Sequence, residues 1–202
     1  MISEKELSNP DPIVRRNAFR AVFSGNFSPA MVERALIDPA FFIRSDALKT
    51  IALSSDQYAR ALRDDHAEVR ALAVGRAELT PLQITEALAD SNAEVRGAAA
   101  FIPQLIMAQR AQLLSDVSPM VRSNAVKAGK LTPAQHAAAL IDTDWMVRMD
   151  AVLLAGITQV QLDAAMGDDS AQVRQAAKDA GGKNSLLGTM KNMAYRVRCL
   201  AE

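Results

Sequence analysis

Residues 90–99 read DSNAEVRGAA: an acidic residue, four intervening positions, a Val-Arg pair, and an alanine four residues after the valine. The same grammar returns along the whole chain. The pair stands at Val14-Arg15, Ile43-Arg44, Val69-Arg70, Val95-Arg96, Val121-Arg122, Val147-Arg148 and Val173-Arg174, at spacings of 29 residues and then 26 five times running. A repeat period of about 20–50 residues is the mark of stacked supersecondary units, each unable to bury its apolar face alone.

Aligned on the Val or Ile of each pair, the marker, further columns hold. Ala18, Ala47, Ala73, Ala99, Ala125, Ala151 and Ala177 follow it by four residues. Leu7, Leu36, Leu62, Leu88, Leu114, Leu140 and Met166 precede it by seven, and Asn9, Asp38, Asp64, Asp90, Asp116, Asp142 and Asp168 by five. Capping residue types (Asp11, Asn92, Ser118, Asp144, Ser170) stand three before it, with Ala40 and His66 as exceptions, and Pro12 and Pro119 come next, where a missing N–H costs nothing. A helix therefore starts just ahead of each marker; it is called the inner helix.

A second start signal follows most markers: Ser54, Thr80, Thr132 and Thr158, each with a Gln three residues on, and Ser28 displaced by the insertion in the first unit. That Ser/Thr-x-x-Gln pattern is the reciprocal capping box, and it opens an outer helix. The fourth unit lacks the hydroxyl and reads Pro103, Gln104 and then LIMAQRAQLL. With 50% hydrophobic residues, 4% aromatics and few strand-favouring runs, the chain is expected to be all-α. The expected architecture is an α-solenoid of seven ~26-residue, two-helix repeats over residues 1–182. Residues 183–202, with Val197-Arg198 and Ala201, are expected to form one helix or a truncated eighth repeat capping the stack.

The motif D-x-x-x-x-V-R-x-x-A resembles HEAT-like repeats and the bacterial leucine-rich repeat variant, and stretches such as LTPLQITEAL and LTPAQHAAAL resemble the latter most. The likeness implies a helical-repeat scaffold whose inner helices line a concave groove. It implies little about activity, since such repeats serve as adaptors, scaffolds, lyase modules and DNA glycosylases. The repeat-variant family associates an iron–sulfur cluster with a Cys-rich N-terminal segment; here the single cysteine is Cys199, so no cofactor is carried over.

Seven evenly spaced arginines suggest nucleic acid, but helical geometry puts each inside the arc that faces the neighbouring unit. The Asp column is the expected acceptor, giving an Arg–Asp ladder between repeats. The overall balance of 23 Lys+Arg against 23 Asp+Glu also lacks the basic excess of a nucleic-acid module. The residues opposite the buried arc, one before the marker and two, three and six after it, are the expected groove floor. Its apolar members Phe42, Leu72, Phe101, Met120, Met146, Met149 and Leu153 are the candidate protein-binding residues, and Arg16, Arg20, Lys49 and Lys127 are the candidate contacts to phosphates or an acidic partner.

Catalytic patterns are missing. The two histidines, His66 and His136, lie whole repeats apart, and no metal-ligand spacing or phosphate loop occurs. Trp145 with Asp144 and Asp150 is the one aromatic–acid cluster that an enzymatic or lyase reading would use. One cysteine and no apolar run near ~20 residues suggest a reducing, cytoplasmic setting without a membrane span. The expected function is non-enzymatic: an adaptor, scaffold or inhibitor that holds another protein or peptide in the groove. A HEAT-like nucleic-acid binder is the first alternative and a lyase or enzyme accessory module the second.

Overall fold

The computed structural model describes residues 4–23 and 28–182. The expected capping segment 183–202, with Cys199, lies outside the described residues. The described chain is helical, with no strand among those residues. The helices are α1 (Glu4–Leu7), α2 (Pro12–Phe23), α3 (Pro29–Leu36), α4 (Phe41–Thr50), α5 (Ser55–Ala61), α6 (Ala67–Val74), α7 (Pro81–Leu88), α8 (Ala93–Ala99), α9 (Met107–Leu114), α10 (Pro119–Lys127), α11 (Pro133–Ala139), α12 (Trp145–Val152) and α13 (Gln159–Ala165). Helical residues 171–182 make α14. Each Val/Ile-Arg pair lies on α2, α4, α6, α8, α10, α12 or α14, and companion helices intervene. The chain divides into two compact units, Met1–Gln109 and Arg110–Glu202.

The start signals act as read. Ser54, Thr80, Thr132 and Thr158 close complete capping boxes with Gln57, Gln83, Gln135 and Gln161. Ser28 accepts the Met31 N–H. The fourth unit keeps half of the device, because Gln109 Oε1 accepts the Ile106 N–H at 3.0 Å although Ile106 has no hydroxyl to return. Ile106 is exposed. Ile106→Thr is therefore expected to raise stability by about 0.5–1 kcal/mol in urea titration, and no change would mean that the turn cannot adopt cap geometry.

In the first unit the marker helices pack in sequence, α2 on α4, α4 on α6 and α6 on α8; in the second, α10 packs on α12. The small alanine column lets these helices approach closely: Ala47, Ala73, Ala99, Ala151 and Ala177 are fully buried. The core is a string of small clusters. In the first unit one gathers Leu7, Phe19, Val32, Ile43 and Ile51, and the next Leu48, Ala61, Val69 and Ala73. In the second, Val126, Ala139, Val147 and Ala151 form one, and Val152, Leu162, Val173 and Ala177 another.

The arginines join these layers. In the first unit Arg15 grips Asp38, Arg44 grips Asp64 and Arg70 grips Asp90, each with Nε on one carboxylate oxygen and Nη2 on the other at 2.6–2.9 Å. In the second, Arg122 grips Asp142 and Arg148 grips Asp168 in the same way. The remaining nitrogen, Nη1, donates backwards to the turn just before its own helix. Arg96 Nη1, for example, reaches the carbonyls of Asp90 at 2.8 Å and Ser91 at 3.2 Å, and Arg174 Nη1 those of Asp168 and Asp169. Each gripped Asp also accepts, through Oδ1, the N–H two residues on, as Asp90 does from Asn92 at 2.8 Å. One carboxylate thus shapes a turn and receives an arginine from the preceding repeat.

These contacts set the charge states. Hydrogen bonding to Arg70 holds the Asp90 carboxyl below the usual carboxylate range, and Arg148 does the same for Asp168. For Asp38, Asp64 and Asp142, burial opposes ionisation most strongly, but the guanidinium and backbone N–H bonds together outweigh it and their values are lowered too.

Candidate protein-binding face

The candidate residues sit on the marker helices, on the side away from the alanine column, except Phe101, in the turn after α8, and Leu153, the C-cap of α12; each unit carries its own set. In the first unit the face begins with a shared ion cluster. Arg16 and Arg20, one turn apart on α2, both direct Nε to Asp46 Oδ2 at 2.7 Å, and their Nη2 atoms reach Oδ1 at 3.2 and 3.3 Å. Asp46 is buried, Arg16 partly covered and Arg20 more than half exposed. Burial works against the Asp46 charge, yet Arg16 and Arg20 hold its carboxyl below the usual range. The Arg16 guanidinium lies 5.1 Å over the Phe42 ring, a cation–π contact, and Phe42 meets Phe41 edge-on at 5.7 Å. Lys49 Nζ reaches Glu68 at 3.1 Å.

The apolar candidates differ in what they leave open. Phe42 and Leu72 are half-buried against the clusters beneath them. Phe101 is 53% exposed. In the second unit Met149 packs against the Val152–Leu162 cluster, and Met120 and Met146 are half-buried. Leu153, at the end of α12, is 54% exposed. Of the seven apolar candidates, Phe101 and Leu153 therefore present the most surface.

Lys127 in the second unit reaches Asp150 at 3.2 Å, and the same carboxylate accepts the Ser123 hydroxyl. Asp150 and Ser123 are both buried, while the Lys127 side chain is about half exposed. Asp144 caps α12 by accepting the Met146 N–H, so the Asp144–Trp145–Asp150 cluster has its carboxylates committed to structure. His136 Nε2 donates to the Ala151 carbonyl at 2.8 Å, and His66 stacks flat on Phe41 with ring centres 3.5 Å apart. The ≈ 500 Å³ depression between α11 and α13 has Lys130 and His136 as its only ionisable lining residues. Among the described residues no group of three His, Cys, Asp or Glu could hold a metal, and no helix is long and apolar enough to cross a membrane.

The residues that organise both units' charges, Asp46 and Asp150, were not singled out from sequence as acceptors. A signal was there. They carry the only aspartates three residues after a marker, and the preceding repeat has Arg16 and Arg20, or Ser123 and Lys127, at two and six after its own. All four candidate cations thus have a carboxylate partner within the protein.

No family model and no curated protein matches the chain. Among solved structures, the X-ray structure of YibA from Escherichia coli is similar, with a TM-score of 0.58 and 21% identity over 95% of this chain and 84% of that one. The likeness is one of fold. It adds a helical-repeat neighbour to the all-helical architecture and says nothing about a partner.

Proposed function

We propose that the chain is a non-enzymatic α-solenoid of seven two-helix units that binds a segment of another protein along its marker-helix face, as an adaptor, scaffold or inhibitor. The observation carrying this reading is the state of the candidate cations. Arg16, Arg20, Lys49 and Lys127 all face carboxylates of the same chain, whereas Phe101 and Leu153 stand more than half exposed. A phosphate backbone needs a stripe of unmatched positive charge, whereas these four cations face three carboxylates and leave a single charge in excess, at Arg16 and Arg20; protein contacts need side chains that can be desolvated. The single cysteine of the sequence fits a cytoplasmic setting, which the proposal includes.

The test is affinity capture from the source cell with quantitative mass spectrometry, using Leu153→Lys and Phe101→Lys separately. Both side chains are exposed, so each variant is expected to keep its thermal midpoint. At least one is expected to reduce recovery of a specific protein by about tenfold or more, the scale of a lost hot spot. Met149 is unsuitable for this purpose because it packs on the core. Recovery unchanged in both variants, together with oligonucleotide binding that falls steeply with salt, would replace the protein-binding reading by the nucleic-acid one.

A further inference from the structure

The marker-helix face of the first unit changes sign along its length. At α2, two guanidiniums share the one carboxylate of Asp46, which leaves one positive charge in excess, and Arg20 is more than half exposed. In the middle, Lys49 and Glu68 balance each other as a solvent-exposed pair. At α8, Glu94 is exposed and has no cationic partner among the described residues. Between these ends Phe42 on α4 and Leu72 on α6 are half-buried, and beside Leu72 the floor of α6 is low. Ala71 and Gly75 stand on it, and a Cβ added at Gly75 would meet only carbonyls of its own helix, at 3.7 and 3.8 Å. Backbone can approach closely there.

We infer that this face takes an extended peptide segment with an acidic cluster and a basic cluster, the acidic one against Arg16 and Arg20 and the basic one against Glu94. The inference rests on the protein-binding reading of the same face. Three helix spacings of ~8–10 Å separate α2 from α8, roughly 24–30 Å, which an extended chain covers in about 7–9 residues. That distance sets the gap between the clusters. A nucleic-acid strand is anionic throughout and meets repulsion at Glu94, and a wholly basic peptide meets it at Arg16 and Arg20. Only a segment of both signs matches the whole length. The Lys49–Glu68 pair does not resist it, because an exposed ion pair contributes little and opens readily.

The test uses the full chain and two labelled peptides of identical composition, read by fluorescence anisotropy at low salt. One carries a block of glutamates and a block of lysines separated by about eight Gly/Ser residues, the span derived from the helix spacing. The other has the same residues interleaved. The block peptide is expected to bind about five- to tenfold more tightly, and Arg20→Ala and Glu94→Lys are each expected to reduce that preference severalfold. Both positions are exposed, and Asp46 keeps Arg16 when Arg20 is removed, so folding is unaffected. Equal binding of the two peptides, a preference that survives both substitutions, or displacement of the block peptide by a single-stranded oligonucleotide would overturn the inference. Protein capture that is lost with Leu153→Lys or Phe101→Lys but indifferent to Arg20→Ala and Glu94→Lys would also overturn it, while leaving the protein-binding reading in place.

Discussion

Arg44→Ala is expected to lower stability by about 3–5 kcal/mol, the range for breaking a buried ion pair from one side. Arg44 is 8% exposed, the most enclosed of the ladder arginines. Its Nε and Nη2 hold Asp64, Nη2 also meets Asp65, and Nη1 donates to the carbonyls of Asp38 and Pro39. Truncation strands a largely buried carboxylate and two turn carbonyls together. Arg44→Lys keeps the charge but cannot span both carboxylate oxygens and the turn at once, so it should fall between alanine and the native residue. Arg20→Ala, by contrast, removes a side chain that is 55% exposed from a carboxylate that keeps Arg16, and should cost under about 0.5 kcal/mol. Urea unfolding followed by circular dichroism separates these values. Equal losses for Arg44→Ala and Arg20→Ala would show that the ladder does not hold the repeats together.

Acidification is expected to unfold the protein cooperatively below about pH 4, with stability nearly flat between about pH 5 and pH 7. Asp38, Asp46, Asp64, Asp90, Asp142 and Asp168 all have carboxyl groups held below their usual range. A depressed group binds fewer protons in the folded chain than in the unfolded one. Its contribution is therefore complete above the unfolded value, about 3.9 for Asp, and is lost as pH falls through the lower folded value. Because the same device recurs in turn after turn, the losses accumulate over a narrow interval. Melting temperatures recorded from neutral to about pH 2 should show this edge, and Asp90→Asn should make it shallower while lowering the plateau. A melting temperature independent of acid would remove the ladder carboxylates from the account of stability.

The two results share a cause that is partly legible in the residues. Arg follows each marker and Asp or Asn precedes it by five, so a helix of ordinary pitch turns the guanidinium toward the next repeat, where an Asp waits 23 residues on from Arg15 and 20 residues on from Arg44, Arg70, Arg96, Arg122 and Arg148. The sequence implied the pairing. The structure adds Nη1, which reaches back to the turn carbonyls and explains why arginine stands there where lysine would supply the same charge.

The sequence by itself determined the elements of the molecule: two short helices per repeat, their caps, the small alanine contacts and the ladder. All of these arise from residues within about one repeat of each other, so their spacing along the chain is also their geometry. Tertiary structure alone decided which groove candidates are open. Phe42, Leu72 and Met149 have the same apolar character as Phe101 and Leu153, yet the first three rest half-buried on neighbouring clusters and the last two stay more than half exposed. Likewise Arg16 and Arg20 read as unattached cations until Asp46, on the next marker helix, is found between them. Exposure and charge balance depend on what the adjacent repeat brings alongside, and a residue's place within its own repeat does not contain that information.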